Sequence, residues 1–131
     1  MSGDLLRVLV CSPAAAGWNE PAHADRWREL GFHHRPDFDK ARESHQALVR
    51  ALVQVGATPC FLPDSATQSL DAVYCHDASI ITDEGAICLR MAKPQRQAEP
   101  SCHQAWYKSA GIPTVGTIEE PGTVEAGDII W

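Results

Sequence analysis

The sequence predicts an α/β fold assembled from strand–strand–helix–strand modules, about two of them plus the opening of a third. Three observations carry that prediction. An amphipathic helix stopped by Gly56 leads into a short apolar strand, and the same helix–glycine–strand order returns at Gly111. Short β-branched runs bounded by turn residues lie ahead of the helices. The chain then closes on Pro121-Gly-Thr-Val-Glu-Ala-Gly-Asp-Ile-Ile-Trp131, an extended apolar segment interrupted by two carboxylates. Buried carboxylates are costly to desolvate, so Glu125 and Asp128 are expected to accept backbone amides or to face a cation.

Residues 5–11 (LLRVLVC) read as a buried strand, ended by Ser12-Pro13. Residues 13–36 are irregular, broken by Gly17, Asn19 and Pro21, with one helical turn around residues 25–30. A connection this long in a compact domain is a lid or a disordered segment. Trp18 at its tip suits either closure over a ligand or anchoring of the loop to the core. Residues 37–55 form the most secure element. Phe38, Ala41, His45, Leu48, Leu52 and Val55 recur in steps of three and four, which aligns them in one apolar seam. Pro36-Asp37 opens this helix and Gly56 stops it. His45 lies on the seam and is read as a hydrogen-bonded core histidine rather than a catalytic one.

Residues 57–62 form the next strand, closed by Pro63-Asp64-Ser65. Residues 70–75 (LDAVYC) read as another strand, with His76-Asp77 at its end. Residues 79–82 and 86–90 make a hairpin turned by Asp83-Glu84-Gly85. A helix follows over residues 96–110, with Pro100 near its first turn and Gly111 as its stop. Residues 112–118 and those from 124 onward are read as strands, the last broken off at Trp131 in mid-strand. Two modules leave open sheet edges, so further sequence or a partner chain is expected to cover them.

At 131 residues the chain is one domain by size. A net charge of −6 without any Lys/Arg run argues against nucleic acid. The five cysteines are odd in number, widely spaced and never in a C-x-x-C pair, which speaks against disulfides and structural zinc and for a reducing compartment. The apolar run after Arg7 is too short for a signal peptide, and Asp4 stands where positive charge belongs. No stretch approaches the roughly 18 apolar residues of a membrane helix. A soluble cytoplasmic protein is expected.

The candidate chemistry lies in acids at the ends of apolar segments: Asp71, Asp77 and Glu125. Carboxylates there match a planar guanidinium bidentately. Arg96 and Glu99, spaced R-x-x-E, are either a surface pair one helical turn apart or a site in which Arg96 holds a substrate carboxylate.

Asp71-Ala-Val-Tyr-Cys-His-Asp77, then Arg96-x-x-Glu99, then Gly122-Thr-Val-Glu-Ala-Gly-Asp128 resemble, in order and spacing, the guanidino-group modifying enzymes. The dimethylarginine dimethylaminohydrolase branch is nearest; arginine deiminases and amidinotransferases are more distant. The resemblance runs from Leu5 to the end and covers about the N-terminal half of such an enzyme. It implies a pentein fold, a fivefold α/β propeller of ββαβ units. It also implies a reaction in which a cysteine thiolate attacks the guanidinium carbon, expels an amine and leaves a thiouronium that water hydrolyses to citrulline.

By that resemblance Asp77 binds guanidinium nitrogens, while Glu125 steadies the substrate and the catalytic histidine. Asp71 contacts substrate, Arg96 grips its carboxylate and Trp18 belongs to the lid. The nucleophilic cysteine and the histidine fall outside this chain; Cys75 is read as a small core residue. His76 departs from the usual acid at its position, and Ala126 replaces the first glycine of the wider Glu-Gly-Gly-Asp motif. The resemblance implies no metal or organic cofactor and a small cationic guanidino substrate. The expected partners are the remaining C-terminal half, another chain, or a second copy in a homo-oligomer, with no membrane. The 131 residues alone should bind weakly and turn over nothing. The rival expectation is a non-catalytic binding or self-assembling module, and an amidinotransferase or deiminase half is a further alternative.

Overall fold

In the computed structural model, which describes residues 4–65 and 67–130, two small sheets are each crossed by one long helix. Strand β1 (Arg7–Val10) runs parallel to β2 (Thr58–Phe61), with Arg7 opposite Thr58 and Val10 opposite Phe61. Their connection contains a single turn, α1 (Pro21–Ala24), a 3-10 turn at Asp25–Arg28, and α2 (Phe38–Gln54). The Asp37 side chain caps α2 by accepting from the Lys40 amide at 3.1 Å, which satisfies one of the helix's free donors. Gly56 ends the descent with φ at 87°, a conformation that costs glycine little.

The second sheet has the order β3-β4-β5. Strands β3 (Ser79–Thr82) and β4 (Gly85–Cys88) are antiparallel with Thr82 opposite Gly85, so Asp83 and Glu84 form a two-residue turn. Helix α3 (Glu99–Ser109) then crosses to β5 (Thr114–Thr117), which pairs in parallel with β4. Thus β3-β4-α3-β5 is one complete strand–strand–helix–strand unit, and β1-α2-β2 is a strand–helix–strand unit.

Residues 13–36 are folded down rather than loose. Ala15, Ala16, Ala24 and Leu30 are buried. Ala15 and Ala16 join Cys11, Leu62 and Ala72 in a core cluster that Leu9, Trp18, Val73, Cys75 and Trp106 pack against.

Three expectations are corrected. Residues 70–75 are not a strand. The Ser69 hydroxyl accepts from the Asp71 amide, and the Ala72, Tyr74 and Asp77 amides donate to carbonyls three residues back. These local bonds make 3-10 turns at Leu70–Val73 and Cys75–Ala78 and leave no ladder to build. The chain from 124 onward keeps only one antiparallel bridge, Val124 to Arg90, before a 3-10 turn at Ala126–Asp128. Trp131, where a strand end was expected, lies outside the described residues.

The third correction concerns α2, whose seam is not a core face. None of its residues is fully buried, and Leu48 and Val53 are exposed. His45 is half-buried beside Phe61, and its Nε2 has no partner. Burial lowers its pKa. It is therefore not the hydrogen-bonded core histidine that the seam suggested.

Candidate active site

The site forms where five short segments meet: the 3-10 turns at Leu70–Val73, Cys75–Ala78, Pro94–Arg96 and Ala126–Asp128, and the start of α3. At its centre is Arg96, only 3% exposed. Its Nε donates to Glu99 Oε1 and Oε2 at 3.0 and 3.1 Å, and Nη2 donates to Glu99 Oε2 at 2.8 Å. Nη2 also reaches the Asp71 carbonyl at 3.3 Å. On the other side Nη1 donates to Asp77 Oδ2 at 2.9 Å and lies 3.7 Å from Glu125 Oε2. The one-turn spacing of Arg96 and Glu99 is as expected, but the pair is buried, not on the surface.

Burial alone would pull the Arg96 pKa down. The carboxylates of Glu99 and Asp77 outweigh that and hold its proton more firmly than usual. Burial pushes the Glu99 carboxyl up, against the pull of Arg96 and of the Ser69 hydroxyl, which donates to Glu99 Oε1 at 3.1 Å. Asp71 is buried with Oδ2 accepting from Lys93 Nζ at 2.8 Å, and the same ammonium donates to the Leu30 carbonyl at 2.9 Å. Lys93 thus ties the 13–36 segment to the acid cluster.

Glu125 Oε1 accepts from the Ala92 amide at 3.3 Å, one of the two solutions open to a carboxylate in this segment, while Asp128 is exposed. Gly127 lets the backbone approach Asp77: a Cβ added there would sit 3.2 Å from Asp77 Oδ1. The turn at 126–128 is therefore shaped to the Asp77 carboxylate.

The structure brings Asp71, Asp77, Arg96 and Glu125 together. Trp18 stands apart in role: its Nε1 donates to the Leu70 carbonyl at 2.9 Å and its ring meets Phe32 edge-on, so it anchors the loop. Cys75 contacts His103, and burial pushes its thiol up to about 12. The Cys11 thiol is likewise pushed up to about 12, first by burial and then by Glu99. Neither environment favours a thiolate nucleophile. Among the described residues no group of three or more His, Cys, Asp or Glu is placed to hold a metal ion. No described helix is long and apolar enough to cross a membrane.

Lys93, Ser69, His103 and Tyr107 were missed by sequence reasoning. Glu99, His103 and Tyr107 follow one another in steps of four along α3, a polar stripe that was readable. Nothing in the local sequence singles out Lys93.

No family model matches the chain. A dimethylarginine dimethylaminohydrolase from Pseudomonas aeruginosa is 34% identical over 96 residues, covering 73% of this chain and 37% of that protein. The structure of a serine-for-cysteine mutant of dimethylarginine dimethylaminohydrolase from Pseudomonas aeruginosa, complexed with citrulline, matches with a TM-score of 0.77 and 28% identity. That match covers 98% of this chain and 48% of the other. A dimethylarginine dimethylaminohydrolase adduct with S-methyl-L-thiocitrulline matches at 0.75 and 29%, over 97% of this chain and 47% of that one. The N-terminal domain of ArgZ, a cyanobacterial arginine dihydrolase, shares the fold at a TM-score of 0.72 and 22% identity, over 95% of this chain and 44% of that one. The chain thus spans about half the length of each of these three structures. By its identity to this curated relative and its likeness to these solved structures, the chain belongs to the guanidino-group modifying, pentein-fold superfamily of dimethylarginine dimethylaminohydrolase.

Proposed function

We propose that this chain supplies the guanidinium-binding side of a hydrolase acting on arginine derivatives, converting a dimethylarginine to citrulline and an amine. One observation carries the reading: Asp77 and Glu125, from separate turns, converge on a single guanidinium, that of Arg96. Carboxylates so spaced suit a second planar cation of the same kind. Asp77 then holds substrate N–H groups through its remaining lone pairs, and Glu125 steadies the substrate. Asp71 contacts the amino acid end. Arg96 orients the two acids as it stands; gripping a substrate carboxylate requires it to release part of that pairing. Trp18 fixes the loop that borders the site.

The nucleophile comes from outside these residues. Its thiolate forms a bond to the guanidinium carbon as the C–N bond to the leaving amine breaks, and that amine departs with a proton given by the histidine, which also lies outside these residues. Water then adds to the thiouronium carbon, the C–S bond breaks, and a ureido group is left. On this reading the complete fold is a propeller of ββαβ units, to which this chain contributes the β3-β4-α3-β5 unit and the β1-α2-β2 unit.

Citrulline release from Nω,Nω-dimethylarginine tests this, using the chain alone and with the C-terminal half of a related enzyme. Turnover is expected only on complementation, and Asp77→Asn or Glu125→Gln should lower kcat/KM by about 100-fold. Turnover by the chain alone would place the nucleophile within it. No turnover from a folded, complemented protein would favour the second reading, a non-catalytic module that assembles through its apolar faces. That reading draws on the exposure of Leu6, Val55 and Phe61 around the β1–β2 sheet.

A further inference from the structure

We propose that His103 is a positioning residue for Asp77, its imidazole bracing both sides of the turn that carries this carboxylate. This deepens, and rests on, the assignment of Asp77 to guanidinium binding. The 3-10 turn at Cys75–Ala78 has no side-chain cap of its own, yet it must present a carboxylate toward Arg96 and the 126–128 turn. His103 reaches it from α3 and is 2% exposed. Its Nε2 lies 3.8 Å from Cys75 Sγ, two residues before Asp77. Its Nδ1 is hydrogen-bonded at 3.0 Å to Ser79 Oγ, two residues after it. The Ser79 hydroxyl is bonded in turn to Tyr107 Oη at 2.7 Å.

The brace is registered to the rest of the site by the helix that bears it. Glu99, His103 and Tyr107 lie on one face of α3, since residues four apart stack along a helix. Glu99 fixes the Arg96 guanidinium, and His103 and Tyr107 fix the turn whose Asp77 meets the opposite side of that guanidinium. One rigid element therefore sets both members of the Arg96–Asp77 pair. A shift in the Cys75–Ala78 turn would move Asp77 away from Arg96 while leaving Glu99 in place.

The test uses the 131-residue chain and follows the guanidinium ¹H–¹⁵N signals of Arg96, which separate when an ion pair restrains the group. His103→Phe keeps the ring volume and removes both nitrogens. It is expected to average the Nη signals that report on Asp77 while the Nε signal facing Glu99 persists. Asp77→Asn should give the same change, and His103→Phe added to it should change nothing further. His103→Gln, which retains a donor and an acceptor, should restore part of the wild-type pattern. If His103→Phe does not fold, Ser79→Ala removes one arm of the brace and carries the same expectation. Wild-type Nη signals in a folded His103→Phe or Ser79→Ala chain, or additive effects in the double variant, would overturn the proposal. In the protein complemented with a C-terminal half, His103→Phe should raise KM for dimethylarginine about 10-fold with a smaller change in kcat. If the complemented wild-type protein binds no guanidino compound, the functional reading fails, while the Arg96 signals still decide the role of His103.

Discussion

Replacing Arg96 with alanine would leave Glu99 buried with Ser69 as its remaining side-chain partner, at 2% exposure. A buried charge stripped of its ion-pair partner is strongly unfavourable, so Arg96→Ala should destabilise the chain by about 3–5 kcal/mol. Asp77→Ala should cost less, because Arg96 keeps its bidentate pairing with Glu99. Urea unfolding of the two variants checks the order. His103 gives a pH prediction. Burial first, and the Arg96 charge second, lower its pKa from 6.5 to about 4 in the fold. Between those values the unfolded chain binds a proton that the folded chain refuses, so stability is lost as pH falls. From pH 7 to pH 5 this one residue should remove about 2 kcal/mol, and His103→Gln should remove that share of the slope in urea unfolding. His45, also lowered by burial, adds in the same direction and remains in the variant.

Helix α2 was legible because apolar spacing, Asp37 at the start and Gly56 at the stop agree locally, and α3 because Pro100 and Gly111 bracket it. The hairpin was legible for the same reason, and its glycine yields a prediction. Gly85 has φ at 146°, and a Cβ there would run into the Pro113 carbonyl oxygen, which accepts from the Ala86 amide at 2.8 Å. Gly85→Ala should therefore cost about 2–3 kcal/mol in denaturant unfolding by straining the hairpin and parting β4 from β5. Asp37→Ala, which removes the α2 cap, should cost only about 1 kcal/mol. The segments at 70–75 and from 124 were misread as strands. Their apolar runs look the same in either conformation, and the choice falls to Ser69, whose hydroxyl takes an amide a ladder would need, and to Gly127, which admits Asp77. The α2 seam shows the converse: its periodicity marked the helix but could not say what covers it.

Across the whole molecule, apolar side chains remain uncovered on both sheets and on α2. Leu6 and Val55 are each 71% exposed, and Phe61, Ile81 and Val115 are about half exposed. Exposed apolar groups that adjoin in one patch mark a surface that another chain covers. On the proposed reading, the other half of the propeller buries them. The chain alone should bind the dye 8-anilinonaphthalene-1-sulfonate and associate as its concentration rises. Adding a matching C-terminal half should suppress both, read by fluorescence and sedimentation. Dye binding and association unchanged in a complex that forms would count against that placement.

The sequence alone determined the helices with their glycine stops, the hairpin, the order of Asp71, Asp77, Arg96 and Glu125, and through these the family. Such features are encoded within a few neighbouring residues or in motif spacing. The tertiary structure alone decided that Arg96 faces inward to three carboxylates, that Lys93 pins Asp71, and that His103 braces the turn of Asp77. Each of those contacts depends on where separate turns meet in space, and charge pairing acts over ångströms rather than along the chain.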